Sequence, residues 1–81
     1  MSVNVFYFAG LREALGRSAE SVDLPVGVTT AGGLRDWLAG QHEAIRMAKN
    51  LRVAINQKMV GLDAAVVDGD EVAFFPPVTG G

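Results

Sequence analysis

Asp68-Gly69-Asp70-Glu71-Val72-Ala73-Phe74-Phe75-Pro76-Pro77-Val78-Thr79-Gly80-Gly81 holds a turn, a strand and an extended end in one run. Asp-Gly-Asp is a turn signal. Glu71 to Phe75 is rich in β-branched and aromatic residues and reads as a strand. Side chains alternate along a strand, so Val72 and Phe74 face one way and Ala73 and Phe75 the other. Pro76 and Pro77 cannot continue a central strand or a helix, and they stiffen the lead-out. Gly80 and Gly81 lack a Cβ and suit a channel too narrow for any other side chain. A bare Gly-Gly would read as a frayed terminus. An aromatic strand, then Pro-Pro, then Gly-Gly reads as an end that hands its carboxylate to another protein. The expected division is a folded domain over residues 1–75 and an extended tail over residues 76–81.

Working back from that run, the other segments order themselves. Ser2 to Phe8 is a β-branched and aromatic strand. Leu11 to Leu15 is a short helix with Gly16 as its C-terminal stop. Ala19 to Leu24 is a second strand, with Glu20 outward and Val22 inward, ended by Pro25. Thr29 or Thr30 caps the next helix, whose apolar stripe is Leu34, Trp37 and Leu38. Gly32 and Gly33 weaken its first turn by up to ~1 kcal/mol each. Gln41 to Asn50 has no assigned structure. Leu51 to Asn56 alternates as a third strand, and Lys58-Met59-Val60 is a short edge strand. The order predicts an α+β domain with a mixed sheet, its first and last strands central and parallel. That order resembles the β-grasp fold of ubiquitin.

Composition narrows the function. The chain has 81 residues, enough for one domain. A domain of this size buries only roughly 60–65% of its unfolded surface. Yet 49% of its residues are hydrophobic, and the mean hydropathy is +0.25. Part of that apolar material is expected at an interface. A net charge of −2 and a pI near 5.1 argue against nucleic acid or an anionic membrane as partner. No apolar run approaches the ~20 residues of a membrane span, and no signal-peptide pattern opens the chain. With no cysteine there is no disulfide framework, thiolate metal site or cysteine nucleophile. A cytoplasmic protein is expected.

The strand faces point the same way. If Val3, Val5 and Tyr7 face the helices, Phe6 and Phe8 face away. The second face then shows Phe6, Phe8, Ala54, Ala73 and Phe75, where an open sheet normally shows polar groups. Apolar patches of this kind mark binding surfaces. The competing expectation is that residues 41–50 fold over the patch. The interface reading is preferred, because the patch adjoins the root of the glycine tail. Met59 joins this patch or fills the core. Arg12, after the first strand, either pairs with an acidic partner group or is solvated.

Three segments carry a more specific resemblance. Phe8-Ala9-Gly10-Leu11-Arg12-Glu13, Val53-Ala54-Ile55-Asn56-Gln57 and the run from Asp68 to Gly81 resemble the small subunits of molybdopterin synthase. These are ubiquitin-like β-grasp sulfur carriers, and the likeness spans nearly the whole chain. Gly32 and Gly33 depart from the family pattern, which more often has helix formers there. The resemblance implies an α+β, β-grasp mixed sheet with helices on one face and a flexible C-terminal Gly-Gly tail. It implies that a ubiquitin-activating-type enzyme uses ATP to adenylate Gly81, next to Gly80. A sulfur donor protein with a persulfide then displaces AMP, leaving a thiocarboxylate. The tail enters the large synthase subunit and gives sulfur to cyclic pyranopterin monophosphate, forming the molybdopterin dithiolene. Phe6, Phe8, Arg12, Met59, Phe75, Pro76, Pro77, Val78 and Thr79 are the implied partner-binding residues. The chain is then a non-catalytic sulfur-donating subunit of a sulfurtransferase complex, with no bound cofactor and no metal.

Two other readings of the tail stay open: a thiamine-type sulfur carrier and a ubiquitin-like modifier of lysines. Thiamine carriers are usually shorter and lack Phe-Phe-Pro-Pro. A plain interaction domain with an inert tail is a third. Other candidate sites are weaker. His42 has no His or Cys companion for a metal and is expected at the surface. Asp68, Asp70 and Glu71 lack the rest of an EF-hand loop. Thr29 to Gly33 lacks the Gly-Lys-Ser/Thr ending of a phosphate loop.

Overall fold

The run quoted first becomes the central strand. In the computed structural model, which describes residues 2–77, β5 (Glu71–Phe75) lies between β1 (Ser2–Tyr7) and β3 (Arg52–Ile55). β2 (Ala19–Asp23) and β4 (Lys58–Val60) form the two edges, giving the order β2-β1-β5-β3-β4. β1 and β5 run parallel, with Val5 opposite Val72 and Tyr7 opposite Phe74. The other pairings are antiparallel. The two most apolar strands are thus flanked on both sides, as their composition requires.

β1 stops one residue short of the expected end. Phe8 stays extended and caps α1 (Ala9–Leu15). Ala9 then takes a left-handed φ of 56°, and the chain turns from strand into helix. Gly16 closes α1 in the left-handed conformation (φ 72°), its N–H donating to the Arg12 carbonyl at 3.0 Å.

α2 (Ala31–Ala39) begins at Thr30, whose Oγ1 accepts from the Gly33 N–H at 3.1 Å. The next loop supplies further caps. The Ala31 and Gly32 N–H groups donate to the Ala64 and Leu62 carbonyls at 2.9 and 2.8 Å. A Cβ on Gly32 would lie 3.0 Å from that same Leu62 oxygen and 3.2 Å from the Leu62 Cβ. The glycine is a poor helix former by about 1 kcal/mol, and this close approach explains its presence. The amides that open α2 are therefore occupied, which removes the phosphate-loop reading on physical grounds.

The segment left unassigned contains α3 (Glu43–Met47). It packs against α1 and α2 and sends Ile45 into the core. It does not fold over the opposite face of the sheet. Val3, Val5, Tyr7, Val22, Val53, Val72 and Phe74 from the sheet meet Leu11, Leu34, Leu38 and Ile45 from the helices. Trp37 packs at the margin, partly buried. All three helices thus lie on one side, which is the β-grasp arrangement that the sequence predicts.

The structure corrects two polar residues. Glu20 shares the inward face with Val22, and His42 is half-buried. The cause is Tyr7, which is 1% exposed and whose hydroxyl needs a partner inside. It donates to Glu20 Oε2 at 2.5 Å. His42 Nε2 lies 3.1 Å from the same oxygen, and Arg17 pairs with Oε1 at 3.1 Å. The His42 ring meets Tyr7 edge-on at 6.3 Å between centroids.

This cluster sets an expected pH response. Burial, then the hydrogen bond to Glu20 and the Glu20 charge, push the Tyr7 hydroxyl well above its ordinary 10. Partial burial pushes the Glu20 carboxyl up, but hydrogen bonds from Tyr7 and His42 and the charges of His42 and Arg17 outweigh it. The net shift is below the ordinary 4.5. Glu20 therefore adds stability above 4.5 that fades as pH falls through its lower folded value. Tyr7 adds stability below 10 that fades as pH rises above it. Tyr7→Phe is expected to cost about 1.5–3 kcal/mol at neutral pH, as for a hydrogen bond to a charged group. It should also flatten both the acid and alkaline limbs of the melting profile. An unchanged pH profile in thermal melts would show that the pair does not act this way.

Candidate functional site

The face opposite the helices is built by strand alternation. Four strands contribute one cross-strand row: Phe6 opposite Ala73, Ala73 opposite Ala54, and Ala54 opposite Met59. The two alanines make a low floor between larger side chains. Phe8, Phe75 and Pro76 raise the end at which the chain leaves the sheet. The result is an apolar trough of about 540 Å³, with Ala9, Gln57 and Glu71 completing its lining. Phe8 is 48% exposed and Met59 57%, whereas Val3, Val5, Tyr7, Val53, Val72 and Phe74 of the inward face are buried.

Of the sequence-predicted residues, Phe6, Phe8, Phe75 and Pro76 come together in this trough. Met59 stands on the same face, at the β4 edge, outside the lining. Arg12 is exposed on α1 and does not line the trough. Pro76 also lines a second crevice, with Leu11 and Ala14 of α1, Ala48 and Leu51. Pro77 is half-buried. Val78, Thr79, Gly80 and Gly81 lie outside the described residues.

Sequence reasoning missed the rim. Asn56 and Gln57 connect β3 to β4 with positive φ at both positions, 50° and 69°. That is the tight hairpin geometry usually announced by Asn-Gly, and glutamine hides the signal. Asn56 is fixed in place. Its Nδ2 donates to Asp70 Oδ1 at 2.9 Å, and its Oδ1 accepts from the Glu71 N–H at 3.0 Å. The acidic cluster is spent on this turn too. Asp68 Oδ1 accepts from the Ser2 N–H at 2.6 Å, and Asp70 Oδ2 from the Val67 N–H at 2.9 Å. Among the described residues no cluster of His, Cys, Asp or Glu is arranged to hold a metal ion. No helix among them is long and apolar enough to cross a membrane.

What this surface offers is contact: an apolar trough whose end is formed by Phe75 and Pro76. Known proteins share the fold. The ThiS family pattern matches residues 5–81. The molybdopterin synthase sulfur carrier subunit of Haemophilus influenzae is 45% identical over 82 residues, covering 98% of this chain and 99% of that protein. The protein of the same name from Escherichia coli is 43% identical over 84 residues, with 98% and 99% covered. The crystal structure of SAMP1 from Haloferax volcanii superposes with a TM-score of 0.80 at 34% identity, covering both chains fully. A full-length match in sequence and a shared five-stranded build together make this chain a member of the ThiS family.

Proposed function

We propose that this chain is the sulfur carrier subunit of molybdopterin synthase, with the Gly81 carboxylate as the group that carries sulfur. One observation supports this most. The apolar trough on the open face of the sheet ends at Pro76, where the lead to Gly80-Gly81 begins. A partner seated in the trough therefore has the glycine tail beside it. Residues 77–81 span at most about 17 Å when extended, enough to carry Gly81 from the sheet into a neighbouring active site.

The chemistry follows from the group. A carboxylate is a poor electrophile, so it must first be adenylated with ATP on an activating enzyme of the ubiquitin-activating type. The terminal sulfur of a persulfide on the donor protein then displaces AMP to form an acyl disulfide, and a second thiol of that protein cleaves the S–S bond, becoming a disulfide and leaving the sulfur on Gly81. The thiocarboxylate formed is a soft nucleophile carried on the main chain, in the manner of covalent catalysis but without a side-chain thiol. The chain's lack of cysteine is compatible with that. The large synthase subunit receives the tail and supplies the acid–base groups that act on cyclic pyranopterin monophosphate. This chain supplies the docking face, the stiff proline lead and the sulfur. The cytoplasm is the compartment that this reading implies, and no cofactor resident on the chain is required.

The test is intact mass. With ATP, the activating enzyme and a sulfur donor, the mass is expected to rise by the difference between sulfur and oxygen, with the change mapping to Gly81. An added mass on an internal side chain would exclude the carrier mechanism. A second reading, a ubiquitin-like modifier, is favoured by the likeness to SAMP1, a protein called a small archaeal modifier where it appears among the relatives. It predicts isopeptide conjugates to lysines of many proteins rather than one thiocarboxylated species.

A further inference from the structure

One cation stands at the apolar end of the open face. Arg52 is the first residue of β3, and its register partner is Phe75. It shares a face with Ala54, two residues on, and Ala54 lines the trough. β3 runs antiparallel to β5, so Arg52 sits where the chain leaves the sheet for Pro76. Arg52 is exposed. Among the described residues it has no ion-pair partner, whereas Arg17, Arg35 and Arg46 each have a carboxylate. The opposite end of the face has the opposite character. Glu71 is exposed on the same face, four residues before Phe75 and so roughly 13 Å away. Asn4 and Ser21 continue that polar end across β1 and β2. The face is graded, with aromatics and a cation beside the tail, small apolar residues in the middle, and polar groups with a carboxylate beyond.

We propose that Arg52 is a specificity-determining residue of the docking face, pairing with a carboxylate that the partner carries beside its pocket for Phe75. The proposal rests on the carrier reading and adds direction to it. An apolar floor of two alanines favours contact but does not say which way round a partner lies. A cation at one end and a carboxylate at the other do, because reversed docking would set like charges together. Arginine suits the task, since its fork of five donors matches a carboxylate and stays charged. A rim charge of this kind acts mainly on the association rate and its salt dependence.

The experiment is stopped-flow association of the full chain with the large subunit of molybdopterin synthase from the same host. Arg52→Glu is expected to slow association about tenfold or more at low ionic strength. The gap should close as salt shortens the screening length toward a few ångströms. Lys58→Glu is the control. It makes the same charge change at a residue paired with Ile55, on the other face, and its rate should stay within about twofold of the parent, as expected for a charge off the docking surface. Equal slowing by both variants, or no slowing by Arg52→Glu, overturns the proposal. Should Arg52→Glu melt early, Arg52→Gln decides the matter: a smaller but salt-dependent slowing supports the pairing, and an unchanged rate overturns it. If the parent chain fails to associate with the large subunit at all, the carrier reading falls and this inference with it.

Discussion

Deleting Gly81, or adding one residue after it, is expected to abolish sulfur transfer while the melting temperature scarcely moves. The two halves of this expectation have separate causes. The buried residues that hold the described fold together run from Val3 to Phe74. One glycine beyond them contributes little apolar area, and burial of such area is what stabilises the domain. Transfer is different, because the reacting carbonyl must reach two successive active sites at one fixed distance from the docking face. Removing or adding a residue moves it by up to about 3.5 Å, and a misplacement of even about 1 Å can cost ~100-fold in rate. Thr79→Ala is the milder control, because its main chain keeps the same length. The assay is molybdopterin formation with the large subunit and precursor, run beside thermal melts. Equal product from the truncated and intact chains would refute the assignment of sulfur to Gly81.

What the sequence revealed, and what it hid, divides along one physical line. Alternation along a strand is local, so Phe6, Ala73 and Phe75 could be placed on the outer face and Val72 and Phe74 on the inner one from spacing alone. Gly16 could be read as a helix stop because the left-handed conformation there is a property of the residue itself. The misses depend on partners distant in the chain. Glu20 reads as an outward carboxylate until Tyr7 arrives beside it with a buried hydroxyl needing an acceptor. His42 reads as surface until α2 and α3 carry it to that carboxylate. Gly32 looks like a weak helix start until the Leu62 backbone packs against it. α3 spans only five residues, too few to show a helical period. Arg52 carries no signal of its own in the sequence, because its meaning lies in its register with Phe75, which no single segment contains.

Phe74 and Phe75 are neighbours in sequence, and their substitution is expected to fail in opposite ways. Phe74 is 1% exposed and lies between Tyr7 and Val53 in the register of the inward face. Phe74→Ala should cost about 3–5 kcal/mol through lost burial and the cavity left behind. Set against the 5–15 kcal/mol that holds a typical domain together, with a chain this small near the lower end, that loss takes most of the stability. A collapsed or sharply lowered melting transition is expected. Phe75 stands on the open face and lines the trough. Phe75→Ser should therefore melt close to the parent while weakening binding to the large subunit by about 2 kcal/mol or more, as for loss of an aromatic anchor. That is about 30-fold in Kd. Serine is preferred to arginine because Arg52 lies directly across the strand pair, and like charges there would destabilise the sheet. Circular dichroism melts and titration calorimetry on both variants separate the outcomes. Unfolding of Phe75→Ser without a distinct binding defect would move Phe75 into the core and remove the trough as a docking surface.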